Sequence, residues 1–263
     1  MTTATVTTEK SVNKIELEQK VKEMYEQVAQ NPFGEFHFEM GRALAERLGY
    51  APADLDRIPR EAVESFAGVG YYFDLATIKP GDTVLDLGSG SGMDSFIAAL
   101  KTGAAGKVLG VDMTDAQREK AARLRDRDGF TNVSYYKAYI ENTPFDDGSI
   151  DVVISNGVIN LAADKLVVFR EAARVLKPGG RLAISDIITE EELPEGVTCN
   201  ATLWAACIGG ALQQDRYTDA MRAAGLRLIA LRANPQYRFL TPSAQKACTT
   251  YGVKSVSILA LKE

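Results

Sequence analysis

The spacing of apolar residues changes character near residue 80. Before that point Ile15, Leu17, Val21, Met24, Tyr25 and Val28 recur three or four apart, which gathers side chains on one face of a helix. Asn31-Pro32 stops it, because a residue ahead of proline is pushed out of the helical region. The segment NPFGEFHFEMG leads into a second helix ending near Gly49. A short helix over Pro59 to Phe66 precedes Gly68-Val69-Gly70. Residues 1–75 therefore read as a helical appendage whose first eleven or so polar residues are disordered.

From Thr83 onward short β-branched runs alternate with amphipathic stretches. TVLDLG, KVLGVD, NVSYYKAY, IDVVISN and RLAISD read as strands, separated by helices over 92–100, 114–127 and 166–176. This alternation specifies a doubly wound α/β fold, a mainly parallel sheet covered on both faces. LRLIALR and VSILALK bring the sheet to seven strands, after helices through Trp204 and Cys207 and from Asp215 to Ala224. Residues 76–190 form the Rossmann-like core, and residues 191–263 complete the sheet.

The 263 residues are 46% hydrophobic and 25% charged, ordinary for a water-soluble protein with a substantial core. A net charge of −5 argues against a nucleic-acid partner, since phosphate binding leaves a basic footprint. No apolar run approaches the ~20 residues that span a bilayer, and MTTATVTTEK does not resemble a secretory leader. A cytoplasmic protein without membrane association is expected. Cys199, Cys207 and Cys248 are odd in number and widely spaced, fitting neither a disulfide framework nor a zinc site. No metal is expected, and the oligomeric state is open.

Candidate chemistry begins at DLGSGSG, where Asp86, Gly88, Ser89, Gly90 and Gly92 sit between the first strand and its helix. In such sheets ligands bind beyond the carboxyl ends of the strands. Glycines there let the backbone turn and approach a ligand closely. The spacing is G-x-G-x-G rather than the dinucleotide pattern G-x-G-x-x-G. An aspartate two residues before the first glycine repels a pyrophosphate but can hold an ammonium group. Charge thus favours S-adenosylmethionine over NAD. Asp112 and Met113 end the second strand, where a carboxylate can accept ribose hydroxyls. Ile140 and Glu141, after the third strand, are placed to pack on an adenine ring and read its amino group.

These blocks resemble the class I S-adenosylmethionine-dependent methyltransferases, and more narrowly the arsenite methyltransferase family. VLDLGSGSGMDS, GVDMT, AYIE, VISNGVINL, VLKPGGRLAISD and CIGGAL appear in that family's order. The resemblance implies methyl transfer, with residues 191–263 completing the acceptor pocket. It also implies three cysteines that hold trivalent arsenic, soft ligands for a soft centre. This chain has Val69 in G-V-G and Gly157 in S-N-G-V-I-N-L where two are expected, and keeps the third as Cys207. A small organic methyl acceptor is the expectation, with arsenite or another metalloid as the alternative and a non-catalytic cofactor-binding protein as a third reading.

Methyl transfer from a sulfonium needs alignment more than proton transfer, so catalytic groups are few. Asn156 could bond the acceptor or merely cap the strand end. Histidine is the side-chain type whose unperturbed pKa lies near neutrality, and the single one, His37, could reach the acceptor if the aromatic segment around it closed as a lid. Tyr71, Tyr72 and Trp204, with Val69, Gly157 and Cys207, are the candidates for the acceptor pocket.

Overall fold

The computed structural model describes residues 13–198, 204 and 208–263. The seven expected strands form one continuous sheet in the order β3-β2-β1-β4-β5-β8-β7. They are β1 (Thr83–Leu87), β2 (Lys107–Asp112), β3 (Val133–Lys137), β4 (Ile150–Asn156), β5 (Leu176–Thr189), β7 (Leu226–Ala233) and β8 (Lys254–Lys262). An additional two-residue strand, β6 (Leu212–Gln213), pairs with the end of β5. Strands β1 to β5 run parallel, whereas β8 is antiparallel to both β5 and β7.

The period of two in the strands divides the core. Val84, Val152, Ile154 and Ala183 face one apolar cluster, while Leu85, Leu87, Val153, Leu182 and Ile184 face another. The second face is covered by α8 (Lys165–Val175) and α10 (Gln214–Ala223), through Val168, Phe169, Tyr217 and Met221. The first is covered by α6 (Met93–Thr102) and α7 (Asp115–Asp128).

That first cluster also takes in α2 (Arg42–Leu48), α3 (Pro52–Leu55), α4 (Arg60–Glu64) and α5 (Phe73–Ala76). These short helices share their core with the sheet. α1 (Lys14–Gln30) starts at Asn13, whose side chain accepts hydrogen bonds from the Ile15 and Glu16 amides. Such a cap satisfies donors that a helix start leaves unpaired.

Two short helices, α3 and α5, and the longer α11 (Pro242–Tyr251) have no counterpart in the sequence reading. α9 (Glu195–Thr198) begins the stretch expected as a helix through Trp204 and Cys207, most of which lies outside the described residues. The KPGG segment ahead of RLAISD is part of β5, with irregular register against β4. Among the described residues no helix is long and apolar enough to cross a membrane.

Candidate functional site

The strand order reverses between β1 and β4, so their carboxyl ends leave a crevice. The glycine loop turns here. A Cβ on Gly88, at φ +71°, would lie 2.6 Å from the Val158 methyls, and one on Gly92, at φ +95°, would lie 2.3 Å from the Tyr135 hydroxyl. No side chain fits either position. Above the loop is a cavity of about 390 Å³.

Three of the carboxylates that line it stand beside the glycine loop: Asp86 from β1, Asp94 from the first turn of α6, and Asp112 from the end of β2. The Gly90 and Thr114 amides donate to the two oxygens of Asp112, at 2.9 and 2.8 Å, fixing the carboxylate in place. Burial pushes its pKa up. Asp86 accepts a 2.6 Å bond from the Ser95 hydroxyl. Its burial, and then the charge of Asp94, push its carboxyl up to about 8. Asp94 takes hydrogen bonds from the Tyr50 hydroxyl (2.6 Å), the Tyr72 hydroxyl (2.8 Å) and the Asn156 amide (3.0 Å). Burial raises its pKa, and those three donors oppose the rise. None of the three carboxylates has a lysine or arginine ion-pair partner among the described residues. The cavity floor is therefore a concentration of buried carboxyl groups, which a cationic ligand would favour in their ionised form.

Ser89, Met113, Ile140 and Glu141 line the same cavity, beside Gly88 and Gly90. Burial raises the Glu141 carboxyl above its usual range. The cofactor-side candidates read from the sequence, apart from the Gly92 hinge, thus share one cavity wall.

The acceptor-side candidates fall elsewhere. Asn156 reaches the cavity, but both ends of its amide are engaged. Its oxygen accepts from the Val69 and Gly70 amides, and its nitrogen donates to Tyr50 Oη, the Gly70 carbonyl and Asp94. It clamps the 68–70 segment to the end of β4. Tyr72 is fully buried and its hydroxyl is spent on Asp94. Tyr71 packs edge-on against Tyr50, ring centroids 5.0 Å apart, away from the cavity. His37 also lies off the cavity wall, its ring edge-on to Phe38 at 4.7 Å. In this arrangement His37, Tyr71 and Tyr72 meet no cavity-bound molecule.

Val69 and Gly157 do come together. A Cβ at Gly157, whose φ is +71°, would sit 3.1 Å from Val69 Cγ1. Val69 is 1% exposed and belongs to an apolar cluster with Leu17, Val21, Leu161, Trp204 and Ile208. Leu17, Val21 and Leu161 of that cluster also line the cavity, so the cluster adjoins it directly. Cys199 and Cys207 lie outside the described residues. Cys248, on α11, is a free thiol packed against the same cluster, and burial pushes its pKa up.

α1 closes the cavity from above. Besides Leu17 and Val21 it contributes Tyr25, and it is held from below by polar contacts to its backbone. Gln117 donates to the Tyr25 carbonyl at 2.9 Å and Lys120 to the Ala29 carbonyl at 2.9 Å. The Tyr139 hydroxyl donates to Glu18 at 2.7 Å and accepts from Lys22 at 3.1 Å. The apolar spacing over 15–28 marks α1 as a helix without showing that its apolar face roofs the site. Asp94 and Tyr50 also escaped the sequence reading. Asp94 carried a signal, an acid in the first turn of the helix that a glycine loop opens. Tyr50 carried none.

A family model described as a methyltransferase domain matches residues 78–225. An arsenite methyltransferase of Halobacterium salinarum is 38% identical over 187 residues, 71% of this chain and 48% of the relative. The crystal structure of an arsenic(III) S-adenosylmethionine methyltransferase from Chlamydomonas reinhardtii superposes with a TM-score of 0.63 at 32% identity, over 85% of this chain and 74% of that one. A geranyl diphosphate methyltransferase shares the fold, with a TM-score of 0.68 at 19% identity over 94% of this chain and 100% of that one. The chain spans about half the length of the arsenite methyltransferase sequences it matches.

Proposed function

The chain belongs to the methyltransferase-domain family, within the class I, S-adenosylmethionine-dependent type that includes the arsenite methyltransferases, and from that premise we propose that it transfers a methyl group to a small organic acceptor. The residues present fit S-adenosylmethionine. The carboxyl floor of Asp86 and Asp94 suits its α-ammonium group, the fixed Asp112 carboxylate suits its ribose, and Ile140 with Glu141 suits its adenine. When bound, the sulfonium supplies an activated methyl group that transfers by in-line displacement.

The protein's part is alignment and exclusion of water. Asp112 is pre-set by two amides and offers its remaining lone pairs without reorganising. α1 roofs the cavity with Leu17 and Val21, removing bulk water from the reacting face. Asn156 holds the 68–70 segment, and with it Val69, in fixed relation to β4. It is a positioning residue.

The observation that carries the acceptor reading is the contact between Val69 and Gly157. Where the resemblance leads one to expect two thiolates, one position has no side chain and the other fills the gap with methyl groups. A soft metalloid meets no ligand there, whereas an apolar organic molecule in the cavity meets Leu17, Val21 and Leu161, behind which Trp204 and Ile208 pack.

Two measurements test this reading. Calorimetry with S-adenosylhomocysteine should show one-site binding, and its absence overturns the cofactor assignment. Incubation with S-adenosylmethionine, arsenite and a thiol reductant should give no methylated arsenic, and turnover to methylarsenicals overturns the acceptor class.

A further inference from the structure

Lys165 lies behind the cavity and has no part in the chemistry above. Its side chain is 3% exposed. The ammonium donates to the Asn160 carbonyl at 2.9 Å and the Ala162 carbonyl at 2.7 Å, and lies 4.3 Å from the centre of the Trp204 ring. The two carbonyls flank Leu161, and Leu161, Ala162 and Ala163 are cavity wall. The ring belongs to the Val69–Leu161–Trp204–Ile208 cluster. One buried charge therefore joins the wall turn to the aromatic plate behind it.

The chain is shaped to permit this. A Cβ on Gly210 would fall 1.9 Å from the Asn160 carbonyl oxygen, and one on Gly209 would fall 2.3 Å from the indole. The glycine pair of CIGGAL thus lets the segment after Trp204 close onto the turn that Lys165 holds. Trp204 is also pinned by its indole N–H, which donates to the Thr198 carbonyl at 2.5 Å.

We propose that Lys165 is a positioning residue for the methyl acceptor: its ammonium ties Trp204 and the Asn160–Ala162 turn into one wall of the acceptor compartment, and the wall loosens when the ammonium loses its proton. The inference rests on the reading that the acceptor enters beside this cluster. A neutral amine still donates to carbonyls but forfeits the attraction of a cation for the aromatic face, and that attraction is strongest where water is excluded.

Four ionisable groups face the lysine from the elements around it. They are Asp186 on β5, Asp164 at the start of α8, Glu141 after β3, and Tyr217 on α10, which acts through its 2.6 Å bond to Asp186. The three carboxylates favour the ammonium, with Asp186 foremost, while burial opposes it and wins, driving the lysine well below its usual range. Lys165 has no ion pair within contact distance among the described residues, so its charge is held by carbonyls, the ring and the field of Asp186. A buried cation kept under such conditions is costly, and holding the wall gives that cost a use.

Trp204 is the only tryptophan of the chain, so its emission reports on this contact alone. Intrinsic fluorescence and acrylamide quenching are followed as pH is raised across the neutral range. The wild-type chain should show one transition, with Trp204 more accessible to acrylamide above it. Lys165→Met should abolish the transition and fix the accessible state. Lys165→Arg, which keeps a cation that does not titrate in this range, should abolish the transition while holding the shielded state. Asp186→Asn should move the transition to lower pH, since it removes the carboxylate that most favours the ammonium. A transition that survives in both lysine variants, or none in the wild type, overturns the proposal. Because the titration needs no cofactor, it decides the role of Lys165 even if S-adenosylhomocysteine fails to bind. With cofactor binding intact, unchanged affinity for it in Lys165→Arg supports a role confined to the acceptor side, whereas parallel loss of cofactor affinity overturns it.

Discussion

Asp112 and Asn156 stand one strand end apart from each other across β1, yet their tasks differ in kind. Asp112 receives two amide donors and keeps lone pairs directed at the cavity, so Asp112→Ala removes charge-assisted bonds to a ligand. S-adenosylhomocysteine affinity should fall by about 1.5–3 kcal/mol in calorimetry, in addition to the stability lost when the Gly90 and Thr114 amides lose their acceptor. Asn156 spends its whole amide inside the protein. Asn156→Ala strips an acceptor from the Val69 and Gly70 amides and a donor from buried Asp94, so its effect should fall on stability. A loss of about 2–3 kcal/mol is expected, read as a lower midpoint in denaturant. The sequence supplied Asp112 outright, because the loop, the strand end and the acid are contiguous blocks. It left Asn156 divided between two roles, and only its partners decide the matter. Those partners lie 62 to 106 residues away, as with Asp94 and Tyr50, a separation that no local pattern spans.

Among the elements, β1, β2 and β4 were legible because their β-branched runs are largely buried and bounded by turn residues. α11 was overlooked although Thr241 caps it, Pro242 occupies its first turn and Gly252 ends it in a left-handed conformation. Its buried face consists of Ala244 and Ala247, too short an apolar pattern to mark a helix. α1 is the element whose meaning changed most. It was read as part of an appendage, yet its buried face roofs the cavity and its carbonyls are gripped by Gln117 and Lys120. Replacing Leu17 and Val21 together by alanine should undock this helix before it unfolds the sheet. Losing roughly 4 kcal/mol of burial corresponds to amide exchange about 1000-fold faster over residues 14–30, with β1 and β4 unchanged. Equal acceleration throughout would show that α1 is integral to the global fold rather than a roof upon it.

For the molecule as a whole, buried carboxyl groups couple stability, pH and cofactor. Burial, and then the charge of Asp94, push the Asp86 carboxyl up to about 8, against an ordinary aspartate value of 3.8. Between those values the native state binds a proton that the unfolded chain has released, so stability without cofactor should decline as pH rises through this window. A cationic ligand favours the ionised carboxylate, so its affinity should increase over the same range, by at most about tenfold per pH unit for one proton. Calorimetry at two pH values in buffers of different ionisation enthalpy should detect the released proton, and Asp86→Asn should flatten the dependence. Saturating ligand at 100 times its dissociation constant should add about 2.7 kcal/mol of stability. A sheet with its floor of carboxylates beneath the reversal of strand order explains why the cofactor was the part of the function most accessible to sequence. The acceptor depends on what packs against the far wall, and that wall is assembled from α1, the turn after β4 and the segment around Trp204.

The contact between residues 69 and 157 also constrains the order in which these positions can change over evolutionary time. A cysteine placed first at 157 would meet the valine at 3.1 Å and adopt a left-handed backbone that costs a side chain about 1–2 kcal/mol. The reverse order, in which 69 shrinks to cysteine before 157 gains a side chain, passes through a smaller and better tolerated intermediate. The pair is therefore epistatic: the glycine is readily accommodated once valine is present, but is not readily surrendered while the valine remains. A lineage that reached this combination would have difficulty recovering a thiol site by single steps at 157. Gly157→Cys should accordingly be markedly less stable in the wild-type background than in Val69→Cys, a difference that thermal denaturation of the four chains can measure.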